Sequence, residues 1–300
     1  MKVEQDMLKF SAAGGLFFAI LGLGWGLKIS SEMIMFDGLY SLISLFLAIV
    51  AIIMANYIEK NDESKFPFGK GMLEPVTVAF KSIVLLIMCA STFLNSLKEI
   101  FNGGNAIDTN SALMYSLISS IGCAIVFVIM NRKGKSLSSD ILKAESNQWL
   151  MDTVLSIAVL CGFIISLVMA RTPLAYLTKY VDPLMVVISS GLFIRVPVVT
   201  LIGSFKEIVN INANDEINEK IDGIVKAVEK EYNFQDSYTR VSKIGRELRI
   251  EIDFIFNEES NLDDLKEMDK VREKVYNNMS SLNFKKWLNI NFTADKKWAI

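Results

Sequence analysis

Two short polar trios stand inside otherwise apolar stretches of this 300-residue chain. Asp37, Tyr40 and Ser44 form one, and Glu145, Gln148 and Asp152 form the other, each spaced by three and then four residues. On a helix those intervals bring all three side chains to one face over two turns. A polar or ionised side chain in an apolar span is costly, faces the interior of a helix bundle and marks an ion or proton path. The trios offer carboxylate, phenol, hydroxyl and amide oxygens but no imidazole, because the chain contains no histidine. Such an oxygen set suits hard divalent cations, Mn²⁺ or Mg²⁺, better than Zn²⁺. In helices that cross a bilayer in opposite directions, Tyr40 lies level with Asp152 and Ser44 with Gln148. Asp37 then falls toward the outer surface and Glu145 toward the cytoplasm. Ser44 alone has a plainer use, bonding to backbone or to a neighbouring helix. Asp152, inside the run from Leu150 to Leu160, has no such ordinary role. The pair Asp37 and Ser41, four residues apart, is an alternative inward register that spacing leaves open.

The elements that must carry these trios are legible as blocks. The chain is 52% hydrophobic with a mean hydropathy of +0.37. Six apolar runs, Leu8 to Leu27, Met33 to Ile58, Met72 to Leu97, Ala112 to Met130, Leu150 to Ala170 and Leu184 to Ile202, each approach the ~20 residues that cross a bilayer. The first is longer than a secretory signal core and lacks a small-residue cleavage site, so it is expected to be retained. Lys2, Lys9, Lys60, Lys65, Lys70, Arg132, Lys133, Lys135 and Lys143 flank one side, against Lys28, Lys98, Arg171 and Lys179 on the other. That asymmetry predicts cytoplasmic N- and C-termini. Cys89, Cys123 and Cys161 all sit in apolar runs, which excludes a disulfide framework or a CxxC metal site. Asp182, followed by Pro183, is expected to cap the sixth helix, and Glu74 to be a charge at the start of the third.

After Phe205 the composition turns to Lys, Glu, Asp and Asn. Ile217, Ile221, Ile224, Val225 and Val228 share a helical face, with Asn214 or Asp215 able to cap it. Two alternating stretches, Tyr238 to Ile244 and Leu248 to Phe256, are joined at Gly245-Arg246 and predict a hairpin. A second amphipathic helix, Leu262 to Leu282, leads to a third strand, Trp287 to Phe292. The fold class expected is therefore an all-α membrane domain of six helices (1–206) followed by an α+β domain of order αββαβ, ferredoxin-like (207–300). The plain role of that tail is dimerisation or anchoring.

The segments PFGKGMLE (Pro67 to Glu74), FDGLYSLIS, AESNQWLMD and VDP, with six spans and the αββαβ tail, together resemble the cation diffusion facilitator family. The resemblance implies a homodimeric antiporter that exports divalent metal ions in exchange for protons, with a metallochaperone-like cytoplasmic tail. It places the family's central ligands at Tyr40, Ser44, Gln148 and Asp152, of which only Asp152 is a carboxylate. The family's accessory metal sites depend on histidine and are expected to be lost here. Its ion pair between the second loop and the end of the last span falls at Met72 and Asn210, where neither partner is charged.

The expectation is thus a secondary transporter, not an enzyme: no HExxH, phosphate loop or nucleophile with a base occurs. No cofactor is expected. The transported ion is expected to be Mn²⁺, alternatively Zn²⁺, Co²⁺ or Fe²⁺, bound by Tyr40, Ser44, Gln148 and Asp152 with Asp37 and Glu145 flanking. Protons, the lipid of the cell membrane and a second copy of the chain are the other partners, with no nucleic acid. The competing expectation is a membrane scaffold or regulator that keeps the fold but has lost the ligands.

Overall fold

Among the described residues, six stretches are helices long and apolar enough to cross a membrane. The computed structural model describes residues 2–60, 64–136, 140–245, 247–260, 262, 264–282 and 284–299. The spanning helices are α1 (Lys2–Ile29), α2 (Glu32–Glu59), α3 (Leu73–Phe101), α4 (Thr109–Ser136), α5 (Asp140–Met169) and a broken sixth span, α6 (Val181–Phe193) with α7 (Arg195–Ile208). Their large outward residues, such as Phe17, Phe46, Ile53, Ile87, Ile125 and Val168, are exposed. An apolar exterior is what a bilayer solvates, and with no water to pair backbone groups a helix, which bonds its own, is one of the few structures that can cross it.

The sixth span differs from a single uninterrupted helix. A 3-10 turn (Ala175–Tyr180) precedes α6, and the helix is interrupted at Ile194. Pro197 is the cause: without an N–H it cannot bond the carbonyl of Phe193, and its ring crowds that turn. Asp182 also departs from expectation, because α6 has no side-chain cap. Its carboxylate instead accepts from Ser31 Oγ at 2.6 Å and from the backbone N–H of Glu32 at 2.8 Å, capping α2. Asp182 is 1% exposed, so those donors offset the cost of burying it.

The chain divides into two compact units, Met1–Ile52 with Lys81–Val199, and Ile53–Phe80 with Thr200–Ile300. In the first, two apolar clusters hold the helices. Met33, Ile34, Phe36, Met88, Tyr115, Phe163 and Val186 form one. Cys123, Val126, Met130, Leu142 and Trp149 form the other.

In the second unit, α8 (Asp215–Glu231) is capped by Asn214, whose side chain accepts from Ile217 N, and α9 (Leu265–Asn278) by Asp264. The sheet has the order β1 (Asp236–Ile244), β2 (Glu247–Ile255), β3 (Lys285–Thr293). β1 and β2 pair antiparallel with Val241 opposite Ile250, while β2 and β3 pair parallel with Ile252 opposite Ile290. A parallel pair needs a crossover, and α9 supplies it. Leu248, Ile250, Ile252 and Phe254 enter one core with Ile221, Val225, Val271 and Val275 of the two helices. The β1–β2 turn needs glycine at 245: its φ is +56°, and a Cβ there would come within 2.5 Å of Glu74 Oε2. Arg246, assigned to the same turn from the sequence, lies outside the described residues.

Two polar anchors complete this unit. Glu207, in the last turn of α7, accepts from Lys243 Nζ at 3.0 Å and from Gly245 N at 2.8 Å. Asp253, 3% exposed, accepts from Arg240 at 2.7 Å and from Asn291 at 2.8 Å. Both of its oxygens are therefore satisfied by protein donors.

Candidate ion site

α2 and α5 carry the two trios because each is a continuous helix through them. The inward face of α5 is a stripe of buried residues, Ser146, Trp149, Thr153, Ser156, Val159 and Phe163. Glu145 and Asp152 flank this stripe and are half-buried, whereas Gln148 is exposed. On α2, Asp37, Tyr40 and Ser44 are all half-buried. Tyr40 and Ser44 lie side by side, and the Tyr40 hydroxyl is in electrostatic reach of Asp152 and Cys89. The Tyr40 ring is fixed edge-to-face on Phe193 with centroids 4.9 Å apart, at the end of α6 where the sixth span breaks.

The three carboxylates differ in their surroundings. Asp37 accepts a hydrogen bond from the hydroxyl of Tyr115 on α4, 3.1 Å away. Glu145 accepts from Ser11 Oγ on α1 at 2.6 Å, and that oxygen in turn accepts from Trp149 Nε1 at 2.7 Å. Asp152 has no hydrogen-bond or ion-pair partner among the described residues, while both Asp37 and Glu145 act on it electrostatically. The flanking acids are thus each oriented by one neutral hydroxyl, and the middle one keeps its lone pairs free. Nearby polar groups of α4 and α5 add to this wall: the Ser119 and Ser156 hydroxyls are 3.1 Å apart and contact Cys123 Sγ. Cys123 is itself in electrostatic reach of Asp152 and Asp37.

Tyr40, Ser44 and Asp152 are brought to one neighbourhood, with Asp37 and Glu145 in reach of Asp152; the exposed Gln148 is not drawn into these contacts. Among the described residues, no group of three or more His, Cys, Asp and Glu side chains is close enough to hold a metal ion by itself. Any dication here must take neutral oxygens or water into its shell. Tyr115, Ser119 and Cys123 were not singled out from the sequence, although Tyr115, Ser116, Ser119, Ser120 and Cys123 form a polar stripe within the fourth span. That stripe, at spacings of one, three and four residues, was the available signal.

Fold and site together define a multi-pass membrane protein whose carboxylates line the interior of its helix bundle. Residues 8–209 match the family described as the cation efflux transmembrane domain. The chain belongs to that family, the cation diffusion facilitators, which are metal cation transporters. It is also 24% identical over 169 residues to an uncharacterised transporter of Methanocaldococcus jannaschii. That alignment takes in 55% of this chain and 58% of the other, so it spans little more than half of the relative's length.

Proposed function

We propose that this protein exports a divalent metal cation from the cytoplasm, most readily a hard ion such as Mn²⁺ in preference to Zn²⁺, in exchange for protons. The observation that carries the reading is Asp152, a carboxylate within a membrane span that has no protein partner among the described residues and sits in the field of Asp37 and Glu145. An unpaired anion beside two others is unfavourable in a low dielectric, and a dication or a proton relieves it. Binding of one and release of the other is then the exchange. Tyr40 and Ser44 supply neutral oxygens, Gln148 closes the shell only by moving from its exposed position, and Asp37 and Glu145 guard the outer and cytoplasmic mouths. In this reading the protein works in the cell membrane as a homodimer with both termini in the cytoplasm and a tail that begins at residue 207.

One observation favours the competing scaffold reading: the described residues contain no ready-made metal cluster. Uptake by inverted vesicles of externally supplied Mn²⁺, Zn²⁺, Co²⁺ and Fe²⁺, with and without an imposed proton gradient, separates the two. Gradient-dependent accumulation is expected for Mn²⁺ above the others. Silence for every ion defeats the transport reading.

A further inference from the structure

α1 and α2 meet backbone to backbone. A Cβ on Gly22 would lie 3.0 Å from Gly38 Cα and 2.7 Å from the Tyr115 hydroxyl. One on Gly38 would lie 2.6 Å from Leu23 N and 2.9 Å from Ala19 O. One turn further along α1, a Cβ on Gly26 would lie 2.7 Å from Met35 N. Glycines spaced by four on α1 thus let α2 approach at the closest range two helices allow. The consequence is chemical as well as mechanical, because the missing side chain of Gly22 leaves the space that the Tyr115 hydroxyl occupies as it reaches Asp37. Tyr115 is 2% exposed and packed against Trp25, and Trp25 Nε1 donates to Ser111 O at 3.1 Å, one turn before Tyr115 on α4. The hydroxyl is therefore delivered by a ring that cannot turn away.

We propose that Tyr115 is a positioning residue for ion binding: through the gap left by Gly22 its hydroxyl fixes the Asp37 carboxylate at the outer mouth of the path. This rests on the transport reading for Asp37 and adds a residue on a helix that carries neither trio. A carboxylate held by one donor presents its other oxygen in a single direction, so less freedom is lost when an ion arrives. Tyr115→Phe removes the donor and keeps the ring.

The test is a double-mutant cycle on the full chain in nanodiscs, reading Mn²⁺ dissociation constants by electron paramagnetic resonance and, in proteoliposomes, KM and kcat for Mn²⁺. Tyr115→Phe is expected to weaken binding and raise KM about 10- to 150-fold, the range for a lost hydrogen bond to a charged group, with kcat within about 2-fold. In an Asp37→Asn background the same substitution is expected to change neither. An unchanged dissociation constant in Tyr115→Phe, or an equal loss in both backgrounds, overturns the proposal, since a merely structural tyrosine acts whether or not Asp37 is charged. A wild-type protein that binds Mn²⁺ without moving it defeats the transport reading alone, and the cycle is then judged on dissociation constants. Absence of binding by the wild type overturns both.

Discussion

Asp152→Asn is the sharpest test of the central site, because it removes one charge and almost no volume. A dication 4 Å from a carboxylate, at an effective dielectric of about 20, gains roughly 8 kcal/mol before solvation is counted. Dehydrating the partners takes back much of this, and removal of one member of a buried pair costs about 3–5 kcal/mol in practice. At 1.4 kcal/mol per decade that is a loss of roughly 100- to 4,000-fold in ion affinity, enough to silence transport at micromolar ion. The stability effect has the opposite sign. Asp152 has no protein partner among the described residues and two acidic neighbours, so in metal-free buffer the asparagine relieves repulsion and the melting temperature holds or rises. The assay is Mn²⁺ uptake into proteoliposomes, with size-exclusion profiles and thermal melts of the same samples. Near wild-type flux refutes the central role of Asp152. A large fall in melting temperature refutes the argument from its surroundings.

The other expectations follow from the same surroundings. Asp37→Asn and Glu145→Gln each raise the apparent KM for the transported ion more than they lower turnover, and Ser44→Ala does much less; ion-dependence curves showing the reverse order overturn the acidic path. Arg240→Ala leaves Asp253 buried with one donor fewer and destabilises the tail by about 2–3 kcal/mol in chemical denaturation. Lys220→Ala, which removes only the exposed pair with Glu216, leaves stability nearly unchanged by the same measurement. Melting of residues 207–300 is indifferent to EDTA, because the tail has neither His nor Cys and Asp253 already has protein donors; a clear drop on chelation contradicts this.

Periodicity made the six spans and the αββαβ tail legible, since bilayer thickness and a two-faced sheet both write themselves into hydropathy. Leu248, Ile250, Ile252 and Phe254 alternate in sequence and are buried together. What periodicity does not carry is which helix supplies a partner. Asp182 looked like a cap for its own helix, but Ser31 and Glu32, some 150 residues earlier, are the donors that reach it. Ser11 and Tyr115 hold Glu145 and Asp37 across 134 and 78 residues, and nothing in a single span announces such distant pairs. Gln148 shares its helix face with Glu145 and Asp152 by spacing, yet a position at the edge of that face is exposed while its neighbours are not. The break at Ile194 was written in Pro197, whose meaning was hidden by an uninterrupted apolar run.

The glycine crossing of α1 and α2 also bears on motion. Where side chains interlock, one helix can slide along another only by changing rotamers on both, and packed surfaces of that kind move in discrete jumps. Gly22 against Gly38 has no side chains to interlock, so that crossing is a smooth bearing for α2, and the side chains that must repack if the helix shears are those of Met33, Ile34 and Phe36 in the apolar cluster. The hydrogen bond from Tyr115 to Asp37 crosses that bearing and acts as its detent. The same few atoms that orient a ligand thereby set how far the helix carrying it travels before a bond must break.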